Sequence, residues 1–165
     1  MNDEPKIRTN LESRTEVFII DNNLIEVTEE AIFELLRDIK DPEHSFSIEQ
    51  LDVIKREYVE ISTIKYYGVG IDVGYPLKYI RVIFKPTIPH CSMAGIIGLS
   101  IKLVLQRFIK GYEIQVTVLK DSHVNWEMIS KQLNDKDRVL AASENSSLMS
   151  VIRECTAPVV NKYCH

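Results

Sequence analysis

The stretch Pro86-Thr-Ile-Pro-His-Cys-Ser-Met-Ala94 places a cysteine after a strand-like run and two rigid prolines, where a long apolar helix is about to begin. A thiol at a helix N-terminus meets unsatisfied N–H donors and the positive end of the helix dipole. Both lower its pKa below the free value of about 8.5 and populate the thiolate, the form that attacks electrophiles and binds soft metals. His90, next to Cys91, is placed to add charge or a second ligand. The alternative for Cys91 is a buried, inert thiol that only packs. A second group, Asp41-Pro-Glu-His44, follows an amphipathic run. Pro42 fixes the turn, so Asp41, Glu43 and His44 project from one tight connection, as an acid/base pair or a metal site requires; a plain helix stop with solvated carboxylates fits the same spacing. His123 follows a third strand-like run and faces the same sheet end or plain solvent.

Other patterns carry less. Gly68-Val-Gly70-Ile-Asp-Val-Gly74 misses the dinucleotide fingerprint by one residue and lies between strands. No phosphate loop, His-Glu-x-x-His or Cys-x-x-Cys occurs. Cys155 sits beside the apolar pair Val151–Ile152 and reads as packing, while Cys164–His165 ends the chain.

These groups need positioning elements. Thr28 caps a helix whose first turn holds Glu29 and Glu30; Ile32, Phe33, Leu36 and Ile39 repeat at helical spacing until Pro42. Ser47 with Gln50 forms a capping-box pair for a short helical turn over Ile48–Asp52. Rising β-branched content predicts a strand over Val53–Lys65, and alternation predicts others over Leu77–Phe84 and Tyr112–Val118. Tyr67–Pro76 is a glycine-rich connection. Ser92–Ile109 is apolar on nearly all sides, the mark of a central helix, and Gly111 closes it. Asn125 is placed to cap a helix using Trp126, Ile129 and Leu133, with further helical pieces around Val139–Ala142 and Leu148–Ile152. The order predicts an α+β domain, a small mixed sheet of three to four strands covered by helices. Residues 1–27 read as an arm in which Val17–Ile20 docks as a strand, 28–158 as the domain and 159–165 as a tail.

Composition sets limits. The 165 residues are 45% hydrophobic and 27% charged, which fits one ordinary globular domain and excludes collagen-like and low-complexity classes. Three cysteines do not make a secreted disulfide framework. The longest uncharged run, Pro86–Ile101, holds two prolines and is too short to span a bilayer. The N-terminus begins acidic without an apolar core, so no signal peptide and a reduced, cytosolic setting are expected. A net charge of −4 argues against nucleic acid as partner. Residues 26–60 hold 11 acidic against 4 basic side chains, either to steer a basic partner or as a solvated face.

Three blocks bear a resemblance: Ile32-Phe-Glu-Leu-Leu-Arg-Asp-Ile-Lys-Asp-Pro-Glu-His44, Phe84-Lys-Pro-Thr-Ile-Pro-His-Cys-Ser-Met-Ala-Gly-Ile-Ile-Gly-Leu99 and Lys131-Gln-Leu-Asn-Asp-Lys-Asp-Arg-Val-Leu-Ala-Ala-Ser-Glu-Asn145. In order and spacing, from about Thr28 to Cys155, the chain resembles the cytosolic iron–sulfur assembly component two family, of the SufT-like class. Gly95 stands where the family has Thr, and Ser143 where Ala or Leu is usual. The resemblance implies a non-catalytic subunit of the cytosolic targeting complex, binding a WD-repeat propeller subunit and a HEAT-repeat subunit and passing clusters to cytosolic and nuclear apoproteins. It implies a cytoplasmic location, extended to the nucleus. The family's reactive cysteine falls on Cys91, its acidic turn on Asp41–Glu43 and its threonine on Thr87; His90 and Ser92 flank the thiol. No stable cofactor is expected. A transient iron–sulfur cluster or a zinc ion is the metal the resemblance allows, with Cys91 as the ligand and His44 and His123 as weaker ones, and a homodimer is open. A cluster normally takes four thiolates, so Cys91 is expected to supply one ligand in transit. Two other classes remain: a thiol enzyme with Cys91 as nucleophile and His90 or His123 as base, and a pure adaptor.

Overall fold

The computed structural model describes residues 4–70, 74–90 and 92–164. Its first helix, α1 (Glu29–Leu36), starts as the sequence dictates: Thr28 Oγ1 accepts from the Ala31 N–H at 3.1 Å, with Glu29 and Glu30 in the first turn. Ile32, Phe33, Leu35 and Leu36 are fully buried. The helix stops at Leu36, short of the expected Pro42, because the next residues exchange helical bonds for a return strand. Lys40 bridges Ser47, Asp41 N donates to Phe46 O, and Ile48 N donates to Ile39 O. Ile39 stays in the core without being helical.

Ser47 and Gln50 do bond reciprocally, Ser47 N to Gln50 Oε1 at 2.9 Å and Gln50 N to Ser47 Oγ at 3.2 Å. The pair closes a tight turn rather than a helix. At Asp52 the backbone enters the left-handed region, φ 58°, and Val53 N returns to Ile48 O. The strand expected from Val53 begins later, since a 3₁₀ turn occupies Arg56–Tyr58.

The mixed sheet has three strands in the order β3–β4–β5, with β3 Val59–Tyr66, β4 Tyr75–Phe84 and β5 Glu113–Val118. Two further strands, β1 Ile19–Ile20 and β2 Asn23–Leu24, make a separate small hairpin over Asp21 and Asn22, both at positive φ, where one docked strand was expected. β3 and β4 are antiparallel with Val59 opposite Val82; β4 and β5 are parallel with Ile80 opposite Ile114. A parallel pair requires a crossover, supplied by α2 (Ala94–Phe108). Its Ile97, Ile101, Val104, Leu105 and Phe108 join Ile80, Val82, Phe84 and Val116 in the core. The architecture is α+β, as the element order implies.

Helices α3 (Trp126–Leu133), α4 (Lys136–Glu144) and α5 (Ser146–Tyr163) complete the cover. Asn125 precedes α3 without a side-chain cap bond, contrary to expectation, whereas Asp135 caps α4 and Asn145 caps α5 through Leu148 N. The short helical pieces read from the sequence are two full helices, and α5 carries the chain through residues 159–163 with Val159 in the core.

The N-terminal arm is tied down by a buried charge. Arg37 is 1% exposed, as are Glu34 and Glu49. All five of its N–H donors find acceptors: Nε and Nη2 fork onto Glu49 at 2.7 and 2.8 Å, Nη1 reaches Glu34 at 2.9 Å, and the remaining two bind the Glu12 and Ser13 carbonyls. Arg14 bridges Asp38 and Glu34 from the arm. Burial pushes the Glu34 carboxyl up, but Arg37, the Thr15 N–H and Arg14 together hold it below the usual carboxylate value; Asp38 is likewise lowered by Arg14. The acidic stretch 26–60 is therefore partly spent inside the fold.

Replacing Arg37 by Met leaves the buried Glu49 carboxylate without its cation and Glu34 with Arg14 and Lys162 alone, at a cost of about 3–5 kcal/mol. Chemical denaturation will show that loss, and limited proteolysis will show the arm cut before the domain; an unchanged midpoint contradicts the role. For the wild type, two carboxylates with depressed folded values stabilise above their unfolded values, 4.5 for Glu34 and 3.8 for Asp38. A pH series of unfolding midpoints will fall progressively as acidification passes below those values and through the folded ones.

Candidate functional site

Because β4 and β5 run parallel, their C-terminal ends lie at one end of the sheet. Leu119 N donates to Phe84 O at 2.8 Å and Lys85 N to Val53 O at 2.8 Å, so both strand exits are anchored there. The chain then runs through buried Pro86 and half-buried Thr87 to exposed Ile88, Pro89 and His90. Val124 N donates to Pro89 O at 3.0 Å, which draws the loop after β5 against this segment. His123 therefore shares the sheet end expected for it, but it is buried rather than exposed, at 7%. Its Nδ1 accepts from Asn125 N at 3.0 Å, which leaves the proton of a neutral ring on Nε2.

Cys91 lies outside the described residues. Ser92 is exposed. Helix α2 begins at Ala94 with Met93 as its cap, two residues later than expected, and Met93 offers no side-chain cap bond. Thr87, His90, Ser92 and His123 are thus the described members of this end.

The acidic turn forms a second locus. Asp41 is buried at 6%, not solvated. Its Oδ1 accepts from the Glu43 N–H at 2.8 Å and the His44 N–H at 3.0 Å, the geometry Asp favours where proline follows it in a turn. Glu43 is exposed and His44 half-buried. The turn faces α5 across a pocket of about 280 Å³ lined by Lys40, Asp41, Glu43, His44, Glu154 and Cys155 among others. Lys40 N donates to Cys155 O at 2.9 Å. Burial pushes the Cys155 thiol up to about 11, and the Asp41 and Glu154 charges add to the rise. It is a protonated member of the core. Cys164 sits at the far end of α5, with Sγ 3.2 Å from Asn22 Oδ1.

The structure thus brings Asp41, Glu43 and His44 together at one place and Thr87, His90 and His123 at another. Among the described residues no hydrogen bond or ion pair joins the two sets, and no group of three or more His, Cys, Asp or Glu is arranged to hold a metal. Sequence reasoning passed over the cation that organises the acidic turn's flank. Its signal was available: Arg37 lies four residues after Phe33, on the stripe that should be apolar.

Comparison with known proteins adds the remaining information. The chain is 41% identical over 139 residues, 83% of its length, to the cytosolic iron-sulfur assembly component 2B of Dictyostelium discoideum, spanning 78% of that protein. It is 41% identical over 125 residues to the mouse protein of the same name, covering 75% of this chain and 69% of that one. A MIP18 family protein of Caenorhabditis elegans is 41% identical over 125 residues, 75% of this chain and 72% of its own. No protein-family model matches the chain.

A buried thiol with a raised pKa is a poor nucleophile. In the native protein at pH 7.5, Cys155 will resist iodoacetamide and become labelled only on unfolding, as read by peptide mass spectrometry. Rapid native labelling of Cys155 contradicts its place in the core.

Proposed function

The chain belongs to the MIP18 family, and from that membership we propose that it serves cytosolic iron–sulfur protein assembly as a non-catalytic subunit that helps pass clusters to apoproteins. The observation that carries the reading is the relatedness across three quarters or more of the chain to proteins named cytosolic iron-sulfur assembly component 2B. The cluster is cargo in this reading. Four thiolates are the usual requirement of a cluster, and this chain has three cysteines. Cys155 is held protonated in the core and Cys164 lies at the far end of α5. Cys91, which falls in sequence between exposed His90 and exposed Ser92, is the thiol that remains, and it supplies a single ligand, shared with a partner or client. The family resemblance names those partners as a WD-repeat propeller subunit and a HEAT-repeat subunit of a targeting complex.

The chemistry supports that division of labour. A lone soft ligand favours exchange over storage, because no second and third ligand from the same chain hold the metal back. Asp41 and its turn hold their own backbone through Oδ1 and shape the pocket beside α5; Glu43 and His44 remain open to solvent or a partner. Thr87, His90 and Ser92 surround the thiol in sequence and set the polarity of the loop.

A second reading, a thiol enzyme, meets a constraint at His123. Its ring is buried and oriented by the Asn125 amide, against the Pro89 segment, but with the Nδ1 lone pair engaged a neutral ring presents Nε2–H, a donor and not the free lone pair a general base requires. His90 is exposed and has no such support.

Cys91→Ser separates these readings. Serine is nearly isosteric, so stability should change by about 1 kcal/mol or less. A hydroxyl stays protonated at neutral pH and is a poor soft-metal ligand. The expected result is an unchanged melting temperature, intact association with partners and a large fall in client iron content. Normal client iron in the serine variant overturns the ligand role and leaves a scaffold. Turnover of a small substrate by the isolated wild-type chain, abolished by alkylation, would establish the enzyme instead.

A further inference from the structure

The two edges of the sheet are treated differently. The outer edge of β5 is closed by side chains: Asn134 accepts from Val116 N at 3.0 Å and donates to Val116 O at 2.9 Å, as a neighbouring strand would, and Ser130 Oγ accepts from Val118 N at 2.9 Å. Along the outer edge of β3, over Thr63–Tyr66, no group makes such a bond among the described residues. An open row of strand N–H and C=O groups is a template for another strand.

That open edge belongs to a ribbon that projects beyond the third strand. β5 pairs only with Tyr79–Phe84, so Thr63–Tyr66 and Tyr75–Lys78 face each other without a third neighbour. The ribbon has two distinct faces, because side chains alternate along a strand. On one face Ile64 lies opposite Leu77, 47% and 41% exposed, with Tyr75 beyond them at 61%. On the other, Lys65 is followed diagonally by Lys78, which stands opposite Thr63. Neither lysine is in an ion pair among the described residues; Lys78 Nζ lies 5.8 Å from the centre of the Tyr112 ring. The nearby Arg81 is already paired with Glu60.

We propose that the outer edge of β3 is a docking edge for an extended segment of a partner protein whose residues alternate between apolar and acidic. The open backbone requires an extended occupant. Period-two alternation then sets its side chains: apolar residues continue the Ile64–Leu77 face, and carboxylates lie beside Lys65 and Lys78. A second copy of this chain is a poor occupant. Antiparallel edge-to-edge pairing brings the lysines of both copies onto one face, and like charges in neighbouring strands repel. The inference goes beyond cluster transfer and holds whatever role Cys91 has.

The test uses the full-length isotope-labelled chain and two synthetic probes, acetyl-(Val-Glu)₄-amide and acetyl-(Val-Lys)₄-amide, with amide hydrogen exchange read by NMR. The Val-Glu peptide should protect β3 amides within Thr63–Tyr66, and its affinity should fall with added salt. In a Lys65→Glu/Lys78→Glu variant, both sites being exposed, the preference should reverse toward the Val-Lys peptide by about tenfold. Three results overturn the proposal: no protection by either peptide, equal protection by both in both proteins, or peptide-independent protection that rises with protein concentration and so marks a second copy on the edge.

Discussion

Arg37 is a full positive charge removed from water, and the N-terminal half of the fold is arranged around satisfying it. Its guanidinium ties together the arm, α1 and the turn that carries Glu49, while Arg14 and Lys162 approach the outer carboxylates from the arm and from α5. The three cations Arg14, Arg37 and Lys162 balance the three anions Glu34, Asp38 and Glu49, so the cluster is neutral as a whole. Burial of such a group stabilises little by itself, since desolvation offsets the Coulomb gain. What it does is make the arrangement specific. The arm's carbonyls at Glu12 and Ser13 are needed to complete the donor set, so an otherwise featureless segment has one place to lie.

The same cluster bears on the acidic turn. Arg37 caps α1, and the chain after it must turn back so that Glu49 can reach the guanidinium. The return passes through Lys40–Ser47, which holds Asp41, Glu43 and His44 in a loop pressed against α5. The other locus depends on a separate constraint. The parallel β4–β5 pair needs α2 as a crossover, and the strand exits, with the segments that follow them, fall at one end of the sheet, where ligand sites of parallel sheets usually lie. Thr87, His90 and His123 meet there because of topology, although more than thirty residues separate the first from the last.

Much of this was legible in the residues. Thr28 before two glutamates, the alternation of Ile80, Val82 and Phe84, and the all-round apolar surface of α2 each specify a local structure that tertiary contacts only confirm. The errors share a cause. The end of α1, the turn at Ser47–Asp52 and the delayed start of β3 are set by bonds between residues that periodicity cannot pair, such as Lys85 N with Val53 O. The burial of Asp41 and His123 was missed for the same reason: a carboxylate and an imidazole look alike in sequence whether they face solvent or backbone amides. Asn134 gave no signal at all, because its value lies in mimicking a strand beside Val116. The family resemblance, by contrast, was carried by contiguous strings of residues and needed no contact information.

The account's central claim is that this chain works inside an assembly and does not store a cluster alone. Anaerobic affinity purification of the tagged chain from its native cell, with partner identification and iron and acid-labile sulfide analysis of each fraction, tests it most directly. The account predicts that a WD-repeat and a HEAT-repeat subunit co-elute, and that iron follows the assembly while the isolated chain carries far less than one cluster. A chain that repeatedly elutes without either subunit, or that holds a full cluster as a lone monomer, contradicts it.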